Sequence, residues 1–383
     1  MKRYDEIIDG VRCSASLFAP HQGGRSEIHA VLEPVDISGG ISGQASRIYS
    51  VLKDILSNGV GAGFVPVIIR AFLSDVTNQA SEVSTLFGDL SAVLSVVGQP
   101  PVEKGVKISL LVIMVENATV RLRNNSLVVV ERGAYRDIWS VIPPCPGKDS
   151  SEATASMLGC LESLLAAEKM SISANCLRTW FFVRDIDNRY MGMVKARNEF
   201  FANCGLTADT HFIASTGIEG TNPVPEAVVS LEAYSTAGLQ PGQVSYISAP
   251  EHLNPTAQYG VAFERATAVD YGDRRMVIVS GTASINNRGE IVAPGNIEAQ
   301  CVRMSDNVKA LLDCAGVESS DVSHIVLYLR DIADSAIAHD IVAERFPAVP
   351  LVTVNAAVCR PGWLVEMECM AIAEANNPCY EVY

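Results

Sequence analysis

The chain has 383 residues, 48% of them apolar and 19% charged, with a formal net charge of −14. This is a globular composition, longer than one usual domain, so two or three domains are expected. The acidic surplus argues against nucleic acid as a partner, since phosphate binding needs a basic footprint, and against an anionic membrane surface. A small anionic substrate can still be met by a local arginine.

The opening stretch, MKRYDEIIDG, carries charges where a signal peptide would have its apolar core, so secretion is not expected. No run reaches the roughly 18 apolar residues of a membrane helix; VGAGFVPVIIRAFL is interrupted by Pro66 and Arg70. Ten cysteines are scattered with no C-x-x-C. That usage suits reduced thiols in a cytoplasm, where the sequons at Asn117 and Asn124 carry no weight.

The first predicted helix, 44–59 (QASRIYSVLKDILSNG), is followed by the apolar strand VIIRAFLSDV and, later, by VKISLLVIMVE. The middle of the chain repeats this order with EATASMLGCLESLLAAE, LRTWFFVRDI and AVVSLEAYS. The last third opens with a predicted hairpin, RRMVIVSGTASI turning at Asn286–Gly289 into EIVAPG. A helix follows from about Gln300, with Val308, Leu311, Leu312 and Ala315 on one face and Gly316 to end it. The strand Ile325–Leu329 comes next, then a helix from Ser335 to Phe346, stopped by Pro347 and Pro350. The strand LVEMECMAI closes the region.

Asp75 follows Gln44 and Asp331 follows Gln300 at the same spacing of 31 residues, and Asp185 takes the equivalent place in the middle. The period predicts three β-β-α-β-α-β units within 1–120, 121–243 and 244–383, an α+β fold with two helices on one face of each mixed sheet. The second face of each sheet needs cover from another sheet, which puts binding sites at the seams.

The last strand holds an anomaly. Glu366 and Glu368 share one strand face with Met370 and Ile372, and burying a carboxylate costs several kcal/mol unless something pairs with it or uses it. His21, His29, His211, His252, His324 and His339 are isolated, with no metal-ligand spacing. No G-x-S-x-G, GxxxxGK[ST] or GxGxxG before a helix is present. Neither a metal nor an organic cofactor is therefore expected, which leaves unassisted acid–base chemistry.

VSGTASI (Val279–Ile285), PGNIEAQ (Pro294–Gln300), DNVKALLDCAG (Asp306–Gly316), LYLRDIAD (Leu327–Asp334) and LVEMECMAI (Leu364–Ile372) together resemble the Rid/YjgF family. Its members are also called endoribonuclease L-PSP-like or translation-initiation-inhibitor-like proteins. The resemblance implies tandem Rid/YjgF-like (chorismate-mutase-like) units, a homotrimer, and clefts between neighbouring sheets. Members that hydrolyse enamines and imines resemble one another in an arginine just after the second helix. Here Pro350-Leu351-Val352-Thr353 has none, which counts against deamination.

Residues 176–235 are similar to chorismatases (chorismate hydrolases), chains of like length built from Rid-like domains. RDIDNRYMGMVKARNEFF (Arg184–Phe201) resembles their tyrosine-bearing helix. IASTGIEG (Ile213–Gly220) resembles their A-S-T-G-I-G segment, with Glu219 as an insertion. VCRP ahead of LVEME resembles the segment of their essential glutamate, with a cysteine seven residues before it. This likeness implies Glu366 as catalytic acid with Cys359 beside it, and a small anionic, chorismate-like substrate. Arg360, Arg197, Tyr190, Thr216, Gly217 and Glu368 would bind that substrate. Two alternatives are a Rid-fold protein that binds a small acid without catalysis and a generic enamine/imine deaminase.

Overall fold

The computed structural model describes residues 1–21, 23–123, 125–256 and 260–383; the sequon at Asn124 lies outside them. Among the described residues the repeated pattern forms three six-stranded sheets of one topology. The first unit runs β1 (Lys2–Ile8), β2 (Val11–Phe18), β3 (Glu27–Pro34), α1 (Gly40–Asn58), β4 (Phe64–Leu73), α2 (Val76–Phe87), β5 (Val93–Val97) and β6 (Ile108–Glu116). The second runs β7 (Thr119–Arg123), β8 (Leu127–Arg132), β9 (Tyr135–Ile142), α3 (Ser150–Ala167), the short α4 (Ile172–Asn175), β10 (Cys176–Val183), α5 (Ile186–Asn203), β11 (Ala214–Glu219) and β12 (Val229–Ala237). The third runs β13 (Val244–Ile247), β14 (Ala266–Asp270), β15 (Arg274–Ala283), α6 (Ile297–Cys314), β16 (Val322–Leu329), α7 (Ser335–Arg345), β17 (Leu351–Asn355) and β18 (Val365–Glu374).

Each unit contains the expected β-β-α-β-α-β core and two further strands. One is an edge strand at its start. The other is a short strand after the second helix, parallel to the middle strand. The predicted hairpin needs correcting. Arg274–Ala283 pairs with β14 on one side and β18 on the other, so no edge remains for EIVAPG, which keeps a single bridge between Ile285 and Ile291.

The 31-residue spacing has a physical basis. Gln44 donates to the carbonyls of Ile37 and Gly105 and accepts from Lys107 N–H; Gln300 does the same with Ala293, Gly362 and Leu364. Each glutamine clamps the loop that leads into its closing strand, satisfying backbone groups that would otherwise be buried unpaired. Asp75 and Asp331 accept backbone N–H bonds at the entry to the second helical segment of their units, a usual capping role.

The helices cover one face of each sheet; α1, for example, buries Ala45, Ile48, Val51, Leu52 and Ile55 at helical spacing. The other faces meet in a common core that includes Val31 and Ile113 from the first unit, Trp139 and Tyr234 from the second, and Ile278 and Met370 from the third. Four backbone bridges, Gly98–Thr221, Ile218–Val358, Ala214–Glu264 and Pro101–Val354, join the units pairwise. The homotrimer was expected because bare sheet faces need cover, and here one chain supplies that cover. No helix among the described residues is long and apolar enough to cross a membrane.

Candidate active site

Most of the sequence-selected residues converge where β18 and β15 of the third unit face α5 and β11 of the second. The cleft is lined by Tyr190, Arg197, Thr216 and Gly217 from one side and by Cys359, Arg360 and Glu366 from the other, with a cavity volume of about 50 Å³. Phe263, Arg265, Gly281 and Trp363 complete its wall.

Glu366 lies near the start of β18, opposite Ala283 and Tyr328. It is 5% exposed. Burial pushes its carboxyl up to about 8, the charge of Glu368 adds to the rise, and Arg178 and Arg265 oppose it. A break in the β15–β18 register between Val279 and Thr282 sets Gly281 against the carboxyl. A Cβ on Gly281 would lie 2.3 Å from Glu366 Oε1 and 3.0 Å from Thr216 Cγ2, so glycine is the only residue that leaves this space open.

Glu368 shares Glu366's strand face but is not part of the cleft wall. Its oxygens accept from Arg178 Nη2 (2.6 Å), Thr216 Oγ1 (2.6 Å) and Trp180 Nε1 (2.7 Å), with Arg70 Nη1 at 3.4 Å. Arg70 in turn pairs with Glu232. This is a buried charge network with its acceptors filled, so Glu368 reaches the cleft only through its field and through Thr216. Thr216 also accepts from Gly281 N–H (2.9 Å) and Arg178, so its hydroxyl is committed to joining the two units.

The helix α5 presents Tyr190 and Arg197 two turns apart, hence on one face. Its entry is held by Glu219, whose carboxylate accepts from Asp185 N–H (2.9 Å) and Ile186 N–H (2.7 Å). Asp185 itself sits at φ 52° and makes no side-chain cap, so the residue inserted into the A-S-T-G-I-G-like segment takes over capping. Tyr190 and Cys359 both line the cleft, and burial pushes the Cys359 thiol up to about 12. A thiol held protonated is a poor nucleophile and a usable neutral hydrogen-bond partner.

Arg197 and Arg265 flank the Phe263 ring at 5.9 and 5.3 Å from its centroid. The Arg360 guanidinium lies 4.9 Å from the Trp363 ring, whose Nε1–H donates to Ser284 O at 3.0 Å. The Gln300 clamp fixes the loop that carries both. Three guanidinium groups thus share one cleft with a carboxyl held toward its neutral form, an arrangement suited to an anionic ligand that must accept a proton. Among the described residues no group of three His, Cys, Asp or Glu is placed to hold a metal ion.

Arg265, Phe263 and Trp363 were not singled out from sequence. Arg265 and Phe263 precede β14 in a stretch without periodicity. Trp363, within VCRPGWLVEME, stood next to the residues that were chosen; a large aromatic beside an arginine in a Pro-Gly turn was a readable signal.

The family described as endoribonuclease L-PSP matches residues 253–373. A RutC family protein of Pyrococcus abyssi is 32% identical over 129 residues, 33% of this chain and 92% of that protein. The 2-iminobutanoate/2-iminopropanoate deaminase of Escherichia coli is 31% identical over 90 residues, 23% of this chain and 60% of that one. A crystal structure of a chorismatase superposes with a TM-score of 0.63 at 18% identity, covering 80% of this chain and 93% of the other. At that identity the likeness speaks for the fold, which extends across all three units. The likeness to RutC proteins in the third unit, along nearly their whole length, establishes that the chain belongs to the RutC family, known also as Rid/YjgF and endoribonuclease L-PSP.

Proposed function

We propose that the cleft hydrolyses the enol ether of a small dicarboxylate of the chorismate type, releasing pyruvate, with Glu366 as the acid. The observation that carries this reading is a carboxyl held protonated near neutral pH, facing a cleft with three guanidinium groups. Enol ether hydrolysis begins with a proton delivered to the terminal methylene carbon, which leaves an oxocarbenium ion. Glu366 supplies that proton and, as carboxylate, takes one from the water that attacks the cation. The resulting hemiketal breaks its C–O bond to give pyruvate and the ring alcohol. Arg197, Arg265 and Arg360 would hold the carboxylates, and Tyr190 with Cys359 would bound the reacting carbon.

The likeness in fold to a chorismatase, over 80% of this chain, supports the frame for this chemistry. Imine hydrolysis is the second reading, favoured by the deaminase relatives of the third unit and weakened by the apolar stretch Leu351–Val352 where an arginine would be expected. Incubation with chorismate, following pyruvate release and loss of the diene absorbance, tests the first. No turnover, or turnover unchanged in Glu366→Gln, overturns it. Turnover of 2-iminopropanoate generated in situ, without chorismate turnover, would favour the second. Tight binding of chorismate with neither turnover would make the protein a small-acid binder.

A further inference from the structure

The three units allow position-by-position comparison of their seams. The residue pairs Phe72–Ser109, Phe182–Ser230 and Tyr328–Glu366 occupy the same place in the middle-to-closing strand register. The acid of the candidate active site therefore has serine at both equivalent positions. The seam between the first and third units nevertheless repeats the frame around Glu366. Pro101 bridges Val354 as Val358 bridges Ile218, and the Gln44 clamp on Gly105 and Lys107 repeats the Gln300 clamp.

A carboxyl returns at this seam from the adjacent strand. Glu33, at the end of β3, accepts a hydrogen bond from Ser109 Oγ at 3.1 Å. It opens into a cavity of about 370 Å³, ample for a small metabolite. Glu103 and Lys104 contribute from the clamped loop, Arg12 from β2, and His339 from α7, the helix equivalent to the one that carries Tyr190 and Arg197. Arg12 is the register partner of Glu33. The wall also includes Val106 and two side chains that remain exposed at the rim, Val35 at 52% and Ile37 at 46%.

We propose that this second cleft binds an α-amino acid with an apolar side chain. The two carboxylates take the ammonium group, Arg12 and Lys104 take the carboxylate, and Val35, Ile37 and Val106 cover the side chain. A monocarboxylate would leave Glu33 and Glu103 crowded without a cation; a simple amine would leave both bases unused. Burial and the charge of Glu103 push Glu33 up to about 7, and a ligand ammonium would relieve both effects. The site is separate from the Glu366 cleft and does not depend on what that cleft catalyses.

The test is calorimetric titration of the full chain with L-leucine and, in parallel, with isocaproate and isoamylamine, which keep the side chain but lose one charge each. L-leucine is expected to bind, and both analogues to bind at least about tenfold more weakly, since each forfeits charge-assisted hydrogen bonds. Glu33→Gln and the surface change Lys104→Ala are each expected to weaken L-leucine at least about tenfold, while Glu366→Gln leaves its affinity unchanged. Lys104→Ala guards against a folding defect in the Glu33 variant. No heat with L-leucine up to about 10 mM, equal binding of either analogue, or affinity unchanged in both variants overturns the proposal.

Discussion

Replacing Glu366 by glutamine should stabilise the protein at neutral pH while removing its chemistry. The folded carboxyl keeps its proton up to about pH 8, whereas an unfolded glutamate releases it near 4.5. Between those values the native state binds more protons than the unfolded one, so stability falls as pH rises. The favourable contribution is complete below about 4.5 and is lost as pH passes through 8. At pH 7 the interval is roughly 2.5 units at about 1.4 kcal/mol each, a cost of about 3 kcal/mol that Glu366→Gln does not incur. Glutamine also changes packing and hydrogen bonding, but that part does not vary with pH. Urea unfolding of both proteins at pH 5, 6, 7 and 8 should therefore give a stability difference that grows with pH in favour of the variant. In parallel, wild-type turnover should decline above about pH 8 as the acid deprotonates, and the variant should lose about 10²–10⁴-fold in kcat. A stability difference that is flat across this range would refute the reasoning, because it would mean the carboxyl is already ionised at pH 5.

Glu368→Gln should act in the opposite direction: it strips Arg178 of a buried partner, and unfolding should show a loss of about 3–5 kcal/mol. Gly281→Ala places a methyl group on the Glu366 carboxyl and against Thr216; steady-state kinetics should show kcat reduced at least about tenfold with a smaller change in thermal stability. Glu219→Ala removes the acceptor for two N–H groups at the start of α5, so about 1 kcal/mol of stability should go and KM should rise as Tyr190 and Arg197 lose their fixed placement. Light scattering should return the mass of one chain, since the sheet faces that would drive trimer formation are buried within it.

The repeat was legible because its markers have physical duties. A glutamine that clamps a loop and an aspartate that caps a helix must keep their distance, so their spacing survived where the intervening residues diverged. Several strands are not placed by the sequence reading, and some of these have weak patterns. β1 (KRYDEII) is an edge strand rich in charge, and β5 and β17 have five residues each, too short for a period to show. EIVAPG read as a strand because local propensity cannot tell that both edges of its presumed partner are occupied. The same limit applied to Glu368. Its strand face was correctly inferred from alternation, but its partners Arg70, Arg178 and Trp180 belong to the two other units and lie far away in sequence. The seven other selected residues line one cleft, and they sit on segments that the chorismatase resemblance marks. Arg265 lies outside every such segment, and nothing in its neighbours points to a role.

A homotrimer must repeat every feature of its axis and seams three times, whereas a single chain is free to vary them. The middle strands show the consequence at the axis. Arg70, Trp180 and Val326 occupy one equivalent position, paired with Leu111, Glu232 and Glu368. Three glutamates at the closing-strand position would repel one another in a medium that screens little, and three arginines opposite them would need partners of their own. The chain instead places one cation at this level between two carboxylates, adds Arg178 for the second, and fills the remaining positions with apolar groups. Burial raises Glu366 most, the charge of Glu368 behind it adds to the rise, and the compensating Arg178 is turned toward Glu368. An equivalent acid at Ser109 would have Leu111 behind it, with no charge, and one at Ser230 would have Glu232, bonded to Arg70 and Ser95 as Glu368 is to Arg178 and Trp180. Of the three closing strands, the third thus carries two buried glutamates on one face, and the second of them adds to the rise that burial gives Glu366.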